Sequence, residues 1–466
     1  MTIELYPFQA ALIENLRQSM REGSRRPLLV SPTGSGKTIM FGYLASRMAT
    51  RGVRSHILAH RKELIRQIST ALDLFGAEHS FVAAGRPFDP EPLIHIGSVY
   101  TVARRLDSVP IPDYNIIDEA HHALPGSTWG TCFTHWHDEN PRLHIFGVTA
   151  TPERLSGEGM GQTFDRLVLG PTTKELIENG YLAPYRIFAP ARTVSAKELH
   201  VRGGDFKREE IEDLMNRREI TGGVIEHYRK YLDGKPSVAF CVSVAHAEQV
   251  AEQFRQAGYI AASIDGSMKT DKREKITDAF AVGRINVLCS CDLISEGYDV
   301  PGIYGAILLR PTLSKALYLQ QVGRALRFIP GKTAVILDHV GNWLRHGLPC
   351  GPQEWSLDSK TRRKRLDPDP DDIDIRQCPK CGYVFERDEG DCPECGFEFP
   401  KQSREIEEKE GELVELDPED KALLSLPFKV QLARCQDFKD LLHLGKLRGM
   451  KNPYAWASHV HRNRKR

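Results

Sequence analysis

The chain has 466 residues and a formal net charge of +1, with 41% apolar and 27% charged residues. At about 150 residues per domain this length predicts roughly three domains. The net charge excludes no partner, because it averages acidic and basic regions. No apolar run approaches the roughly 18 residues that cross a bilayer, and the first residues lack a signal pattern, so we expect a soluble cytoplasmic protein with no membrane partner.

The ten cysteines fall into two groups. Six are scattered along the chain, and the other four form two C-x2-C pairs between positions 378 and 395. Scattered thiols together with a metal-like cluster indicate a reducing compartment.

Short β-branched runs alternate with amphipathic helical stretches over residues 5–171, and a second such cycle covers residues 185–338. This alternation predicts two α/β domains in tandem, each with a parallel sheet covered by helices. The predicted boundaries are two α/β domains at 1–172 and 173–345, a linker at 346–375, a cysteine module at 376–400, a charged linker at 401–422 and a basic helical tail at 423–466.

Residues 31–38, Ser-Pro-Thr-Gly-Ser-Gly-Lys-Thr, lie between a strand-like apolar run and a helix-favouring segment. This setting predicts a phosphate-binding loop, in which glycines let backbone N–H groups face an anion and Lys37 approaches the β- and γ-phosphates. Ser31 stands where the usual pattern has glycine, and a chance turn before a helix is the alternative. The residues expected to hold the nucleotide are Thr33, Gly34, Ser35, Gly36, Lys37 and Thr38, with the Thr38 hydroxyl on Mg²⁺.

Asp118 and Glu119 directly follow the apolar run at residues 114–117. At the end of a strand beside the loop, Asp118 would hold Mg²⁺ and Glu119 would polarise the attacking water. An acidic turn without a catalytic role is the alternative. Residues 148–152, Val-Thr-Ala-Thr-Pro, add two hydroxyls after another strand.

The second α/β domain contains Gln-Gln-Val-Gly-Arg-Ala-Leu-Arg at residues 320–327. Arg324 and Arg327 are three residues apart, so on a helix they would share a face. Guanidinium groups suit the charge that spreads over a transferring phosphoryl group. We therefore expect both to act as arginine fingers from the far wall of a cleft, so that hydrolysis requires both domains.

In this order, the motifs resemble those of superfamily 2 helicases and translocases of the DEAH-box type, which have two RecA-like domains. The resemblance extends from Leu5 to Leu337 and implies ATP and Mg²⁺ as cofactors. It also implies that Gln9 reads adenine and that Gly297 and Asp299 contact the nucleotide. The positions that match nucleic-acid contacts are Arg61, Ser98, Thr101, Arg104 and Ser295. For Arg61, Thr101 and Arg104, a solvated surface role is the alternative, and Ser295 stands where threonine is commoner.

The paired cysteines, Cys378 with Cys381 and Cys392 with Cys395, each read C-P-x-C-G. Four thiolates at this spacing favour a closed tetrahedral Zn²⁺ site, a small zinc ribbon. Iron bound as in rubredoxin and a pair of disulfides are the alternatives. Such a ribbon can bind DNA, dock a partner or stabilise the tail.

The DEAH-type core, a four-cysteine module and a short basic tail together resemble the bacterial RadD-like branch. This resemblance implies single-stranded or branched DNA as the polymer, bound largely without sequence preference. It also implies a role in repair or recombination near the nucleoid, with single-strand-binding protein or a recombinase as a partner. The expected activity is that of an ATP-dependent DNA helicase or translocase. Three alternatives stay open: an RNA helicase, a motor subunit of a restriction or phage replication system, and an ATP-gated DNA clamp with little turnover.

Overall fold

The structure of the protein, a computed structural model, describes residues 4–153, 159–190, 199–202, 205–215, 218–291, 302–358, 374–387, 390–400, 417–450 and 452–464. The chain divides into two compact units, Met1–Phe399 and Pro400–Arg466.

The first unit begins with a seven-stranded sheet in which every strand pair is parallel. Its strands are β1 (Pro27–Val30), β2 (Ser55–Ala59), β3 (Ser80–Val82), β4 (Ile94–Ser98), β5 (Tyr114–Asp118), β6 (His144–Thr149) and β7 (Arg166–Leu169), in the spatial order β3-β4-β2-β5-β6-β1-β7. The central strands are buried along their whole length, as parallel strands covered on both faces must be.

Helices cover both faces of this sheet because their apolar side chains recur at helical spacing. They are α1 (Pro7–Arg21), α2 (Lys37–Ala49), α3 (Lys62–Leu74), α4 (Val99–Val102) and α5 (Thr128–Glu139), with 3-10 turns at Leu106–Ser108 and Ala120–His122. One layer buries Leu12, Phe41 and Ile68, and the opposite layer buries Trp129 and Trp136.

The second domain contains an eight-stranded sheet in the order β12-β13-β11-β14-β15-β8-β17-β16. Its strands are β8 (Tyr185–Phe188), β11 (Ser237–Phe240), β12 (Ala261–Ile264), β13 (Val287–Ser290), β14 (Gly305–Leu308), β15 (Ala334–Asp338), β16 (Ile375–Gln377) and β17 (Tyr383–Glu386), and β9 (Val201–Arg202) pairs separately with β10 (Asp205–Phe206). The helices are α6 (Thr173–Glu178), α7 (Arg208–Met215), α8 (Arg218–Tyr231), α9 (Val244–Gln256), α10 (Thr270–Ala281), α11 (Lys315–Ala325) and α12 (Asn342–His346). The predicted α/β class with two parallel-sheet domains is confirmed.

The cysteine module forms the edge of this second sheet. Strand β17 pairs antiparallel with β8, and β16 pairs with β17. The Tyr231 hydroxyl donates to the Cys381 carbonyl at 2.8 Å, and Gly382 approaches Ala189 so closely that an added Cβ would lie 2.5 Å from its carbonyl oxygen. The module is therefore held by the second domain through backbone pairing.

The stretch after α12 returns to the first domain. The Gly161 N–H donates to the Leu357 carbonyl at 2.9 Å, and Trp355 and Leu357 pack against the layer that buries Trp129. The first residues of the predicted linker at 346–375 therefore form a strap between the two domains.

The second unit is helical. It contains α13 (Pro418–Leu424), α14 (Phe428–Arg434), α15 (Phe438–Leu447) and α16 (Pro453–Arg464) around Cys435, Leu441, Leu444 and Ala457. Across the described parts of both units, no helix has the length and apolar character needed to cross a membrane.

Candidate ATP site between two domains

Parallel strands place their carboxyl ends at one edge of a sheet, and the predicted motifs of the first domain meet there. Strand β1 leads into the loop at residues 31–36, β6 ends at Thr149 and β5 ends at Asp118. Val30 is in register with Thr149, and Asp118 is in register with Val148. The loop, the hydroxyls and the carboxylates are therefore neighbours.

The loop curls as a phosphate-binding loop must. Gly34 and Gly36 have φ of 89° and 79°, in the left-handed region that glycine adopts without steric cost. Helix α2 begins at Lys37, so its N-terminus faces the loop. The Ser31 and Ser35 hydroxyls lie 2.7 Å apart and are both buried, so the serine at the first motif position joins the two ends of the loop.

The Gln9 side chain holds this loop through a hydrogen bond to its backbone. Its amide nitrogen donates to the Ser35 carbonyl at 2.9 Å, and its amide oxygen accepts from the Tyr6 N–H at 3.0 Å. An added Cβ on Gly36 would lie 2.5 Å from the Gln9 amide nitrogen, so a side chain there would displace the Gln9 amide and would be strained by the φ of 79°. The adenine contact of Gln9 stays a prediction.

Lys37 turns back over the loop. Its Nζ donates to the carbonyls of Ser31 and Pro32 at 3.1 and 3.2 Å. Burial lowers the pKa of Lys37, whereas the nearby carboxylates of Glu119 and Asp118 act to raise it. A bound polyphosphate would place further negative charge beside the ammonium group and favour its protonated form.

Both carboxylates are buried, and the backbone of Glu119 is strained. Burial, assisted by the charge of Glu119, raises the pKa of Asp118 to about 7. Glu119 has φ of 49°, the only positive value among the described residues other than glycine, and its N–H donates to the Asp118 carboxylate at 3.0 Å. Among the described residues, none donates a hydrogen bond to its Oε2, which lies 3.5 Å from His121 Nδ1. Such a site suits a divalent cation and an oriented water.

A chain of side chains leads away from Glu119. His121 Nδ1 lies 3.2 Å from the Thr149 hydroxyl, and the His121 ring packs 4.2 Å from that of His122. The His122 ring lies 4.4 Å from the ring of His60, whose Nε2 accepts from Arg61 Nε at 3.2 Å. Sequence patterns did not indicate that this row forms, because His60 and the adjacent pair His121 and His122 come from separate segments.

The second domain supplies the opposite wall. A cavity of about 790 Å³ is lined by Lys37, Asp118 and Glu119 on one side and by Arg324 and Arg327 on the other. Burial lowers the pKa of Arg327 to about 10, which still leaves it protonated at neutral pH.

The prediction that the two arginines share a helix face was wrong. Arg324 lies in the last turn of α11, but that helix ends at Ala325. Arg327 lies beyond it, in an isolated bridge with Leu182. Both side chains reach the cavity, from two different backbone conformations.

The two domains touch at the loop itself. An added Cβ on Gly323 would lie 2.5 Å from the Thr33 Cβ, and one on Gly34 would lie 3.6 Å from the Arg327 Cγ. At another part of the cavity wall, Arg273 of α10 pairs with Glu63 of α3 at 2.6 Å, and both side chains are largely buried. Sequence analysis missed this pair, because neither residue carries a motif signal of its own.

Of the residues predicted to contact nucleic acid, those of the first domain follow strand ends at the same edge of its sheet. Ala59 is in register with Ser98, so Arg61 and Ser98 follow neighbouring strand ends. Thr101 lies in the short helix α4, and Arg104 is exposed just after it. Ser295, Gly297 and Asp299 lie outside the described residues. The roles of all these residues stay predictions.

The four cysteines converge. Their Sγ atoms lie within 4.8 Å of one another, with 3.6 Å between Cys378 and Cys395 and 3.7 Å between Cys381 and Cys392. A tetrahedron with Zn–S bonds of about 2.3 Å has edges of about 3.8 Å, whereas a disulfide is about 2.0 Å long. The positive φ of Gly382 and Gly396 lets each knuckle close. The cluster fits a tetrahedral ion, and the disulfide alternative fails.

Comparisons with known proteins agree with this geometry. Two family models match, "Type III restriction enzyme, res subunit" over residues 2–154 and "Helicase conserved C-terminal domain" over residues 223–329. A 51.5 kDa protein of a Lactococcus phage is 34% identical over 360 residues, which are 77% of this chain and 75% of that protein.

A Saccharomyces cerevisiae protein designated as the ATP-dependent helicase IRC3 is 27% identical over 72% of this chain, which spans only 51% of that relative. The structure of the Type ISP restriction-modification enzyme LlaBIII bound to DNA has a TM-score of 0.54 at 17% identity, and the match covers 72% of this chain and 28% of that one. This last likeness concerns the fold alone.

Fold and comparisons together define an ATPase of two RecA-like domains, with a cavity lined by residues of both. The chain belongs to superfamily 2 of the helicases, with a res-subunit type first domain and a helicase C-terminal second domain.

We expect Gly323→Ala to reduce ATP hydrolysis at least tenfold while ATP binding persists, because the added methyl group would push α11 away from the loop. Steady-state ATPase and nucleotide-binding assays measure the two quantities. Gly266→Ala is the matched control, since no atom lies within 4 Å of a Cβ there. Thr33→Gly in the Gly323→Ala chain removes the clashing Cβ and should restore part of the rate, whereas a double variant no faster than Gly323→Ala alone would contradict the contact.

Proposed function

We propose that this protein couples ATP hydrolysis to movement along DNA, or to its remodelling. The observation that carries the proposal is the cavity lined by the loop and carboxylates of one domain and by the arginines of the other. A site divided in this way hydrolyses ATP only when the domains are closed, so a polymer that bridges them can control turnover.

In the proposed cycle, the loop N–H groups and Lys37 hold the phosphates, while Thr38 and Asp118 hold Mg²⁺. Glu119 orients a water and takes its proton as the water oxygen attacks the γ-phosphorus. The bond from that phosphorus to the bridging oxygen breaks, and ADP and phosphate leave. Arg324 and Arg327 neutralise the charge on the transferring group.

DNA is proposed over RNA for two reasons. The first domain matches a restriction-enzyme model, and a structural neighbour of that class is bound to DNA. Contacts through Arg61, Ser98, Thr101, Arg104 and Ser295 would address phosphates and sugars, so binding should depend little on sequence and weaken with salt.

The biological setting has two candidates. Repair or recombination, with single-strand-binding protein or a recombinase as a partner and a nucleoid location, rests on the resemblance of the core, cysteine module and tail to the RadD-like branch. A motor for a phage or restriction system is favoured by the phage relative and the res-subunit match.

The row of imidazoles could couple the binding of a nucleic-acid phosphate at Arg61 to the position of Glu119 in the ATP site. A phosphate on Arg61 would draw its guanidinium away from His60, and the shift would pass through His122 and His121 to Glu119 and Thr149. Packed rings with two arrangements can carry such coupling over several residues.

The cysteine module is proposed to hold one Zn²⁺ through Cys378, Cys381, Cys392 and Cys395. Because β17 pairs with β8, the ion would stabilise the edge of the second domain as well as its own loops.

Saturating DNA should raise the ATPase rate of the unmodified protein, with a smaller effect of RNA of the same sequence. Lys37→Ala and Glu119→Gln should each lower that rate at least 100-fold. Lys37→Ala loses the positive charge that holds the phosphates, and Glu119→Gln loses the carboxylate that acts as the base. Glu119→Gln should bind ATP as the unmodified protein does, and Lys37→Ala should bind it weakly. Exposed Glu78→Gln is the control. A rate indifferent to single-stranded, duplex, forked and gapped DNA and to RNA would refute the proposed function.

His122→Ala should leave the rate without DNA nearly unchanged and reduce the ratio of stimulated to basal turnover several-fold, because the ring that contacts both His60 and His121 is lost. His122→Phe keeps an aromatic ring and should retain much of the ratio. Turnover at saturating DNA divided by turnover without it is the readout. An unchanged ratio in His122→Ala, or equal loss in both variants, would exclude this route.

Metal analysis should find one zinc per chain, and Cys392→Ser should abolish it and lower the melting temperature, since the folded module requires the ion. Cys350→Ser, outside the cluster, is the control and should keep its zinc. Bound iron, or full zinc content in Cys392→Ser, would contradict the assignment.

A further inference from the structure

The second unit carries an unusual distribution of charge. Residues 441–466 contain seven lysines and arginines, three histidines and no acidic residue. The five acidic residues of the described unit all lie in residues 417–440. One half of this small module is therefore strongly basic, although the whole chain is nearly neutral.

We propose that this module is a second, ATP-independent grip for single-stranded nucleic acid, in which Tyr454 stacks on a base and Lys446 and Arg448 contact phosphates. It adds a contact to the polymer of the proposed function and does not depend on ATP turnover. The matched family models end at residue 329, so neither reaches this module.

The buried core of the module contains no basic side chain. Helices α15 and α16 pack through Leu441, Leu444 and Ala457, which are fully buried. Gly445 lets α16 approach, since an added Cβ would lie 3.0 Å from the Trp456 ring and 3.2 Å from Pro453. A capping box on Asp437 fixes the start of α15. The basic groups are thus available for a partner.

Aromatic side chains accompany the charges on the surface. Tyr454, in the first turn of α16, is 65% exposed. Its ring packs edge to face against the Phe438 ring, with 5.3 Å between the ring centroids, and this contact holds the tyrosine in place. The Arg448 guanidinium lies 4.5 Å from the centroid of Phe428, which is itself 37% exposed. An exposed tyrosine, and an exposed phenylalanine beside a cation, on one small basic unit are the composition of sites that bind single strands by stacking and phosphate contact.

Single strands fit this surface better than duplexes do. The face of a base is accessible for stacking only when the base is unpaired. Stacking on a tyrosine ring also does not use the groove of a duplex. Within the described residues neither Lys446 nor Arg448 forms an ion pair, so their charges are not neutralised by the module. Both are exposed.

The test uses the full chain without nucleotide and a fluorescein-labelled oligothymidylate of about 20 nucleotides, read by anisotropy. Tyr454→Ser should raise the Kd about tenfold, and Tyr454→Phe should keep it near the unmodified value, because the ring remains. The Lys446→Ala, Arg448→Ala double variant should raise the Kd and reduce the salt slope by about 1 to 2. Lys421→Ala with Arg434→Ala, two exposed basic positions in the acidic half, is the matched control.

Unchanged Kd in Tyr454→Ser and in the Lys446, Arg448 variant would overturn the proposal, as would equal losses in the control. An equal loss for a closed duplex hairpin would overturn the single-strand assignment. Melting curves should show all variants folded, and ATP turnover at saturating DNA should be unchanged. If DNA stimulates ATPase but Tyr454→Ser binds normally, this inference fails and the proposed function stands. If Tyr454→Ser weakens binding but DNA never stimulates ATPase, the proposed function fails and this inference stands.

Discussion

The approach of Gly323 to Thr33 is the constraint on which the rest of the site depends. A phosphate-binding loop alone can bind the phosphates of a nucleotide. The two arginines of the second domain contribute to hydrolysis only when those phosphates lie beside them. Because α11 carries glycine where it meets the loop, the second domain comes near enough for Arg324 and Arg327 to enter the cavity with Lys37 and Glu119. The Arg273–Glu63 ion pair and the strap through Trp355 join the same two domains at other points.

The electrostatics of the cavity follow from that closure. Burial shifts the pKa of Asp118 up to about 7, so its carboxyl group is less charged near neutral pH than it would be in water, and burial lowers the pKa of Arg327 to about 10, which leaves its guanidinium protonated. A nucleotide bound with its cation opposes both pKa shifts, since Mg²⁺ favours the ionised carboxylate of Asp118 and phosphates favour the protonated guanidinium of Arg327. Ligand binding and domain closure therefore favour each other, which is the property a motor needs.

Much of this could be predicted from the sequence, because its signals are local. Strands β1, β2, β4, β5 and β6 end in motifs of fixed composition, and their apolar runs set the α/β class. Short edge strands β3 and β7 lacked such a signal. The place of Arg327 was missed because helix α11 ends two residues earlier than the spacing argument assumed.

Contacts between distant segments were beyond sequence reasoning. Nothing in a single sequence states that Glu63 meets Arg273, that His60 packs on His122, or that β17 pairs with β8 and makes the cysteine module an edge of the second sheet. Each depends on tertiary packing, and each bears on the functional account: an ion pair across the cleft, a row of rings that leads to Glu119, and a cysteine cluster held by the second domain.

Single-turnover hydrolysis by Arg324→Gln, at saturating DNA and ATP, tests the shared active site most directly. The account predicts that ATP binds with nearly unchanged affinity and that hydrolysis slows on the order of 1,000-fold, because a charge delivered from the second domain is lost while the loop is intact. Hydrolysis at the unmodified rate in a folded variant would show that the first domain acts alone and would contradict the account.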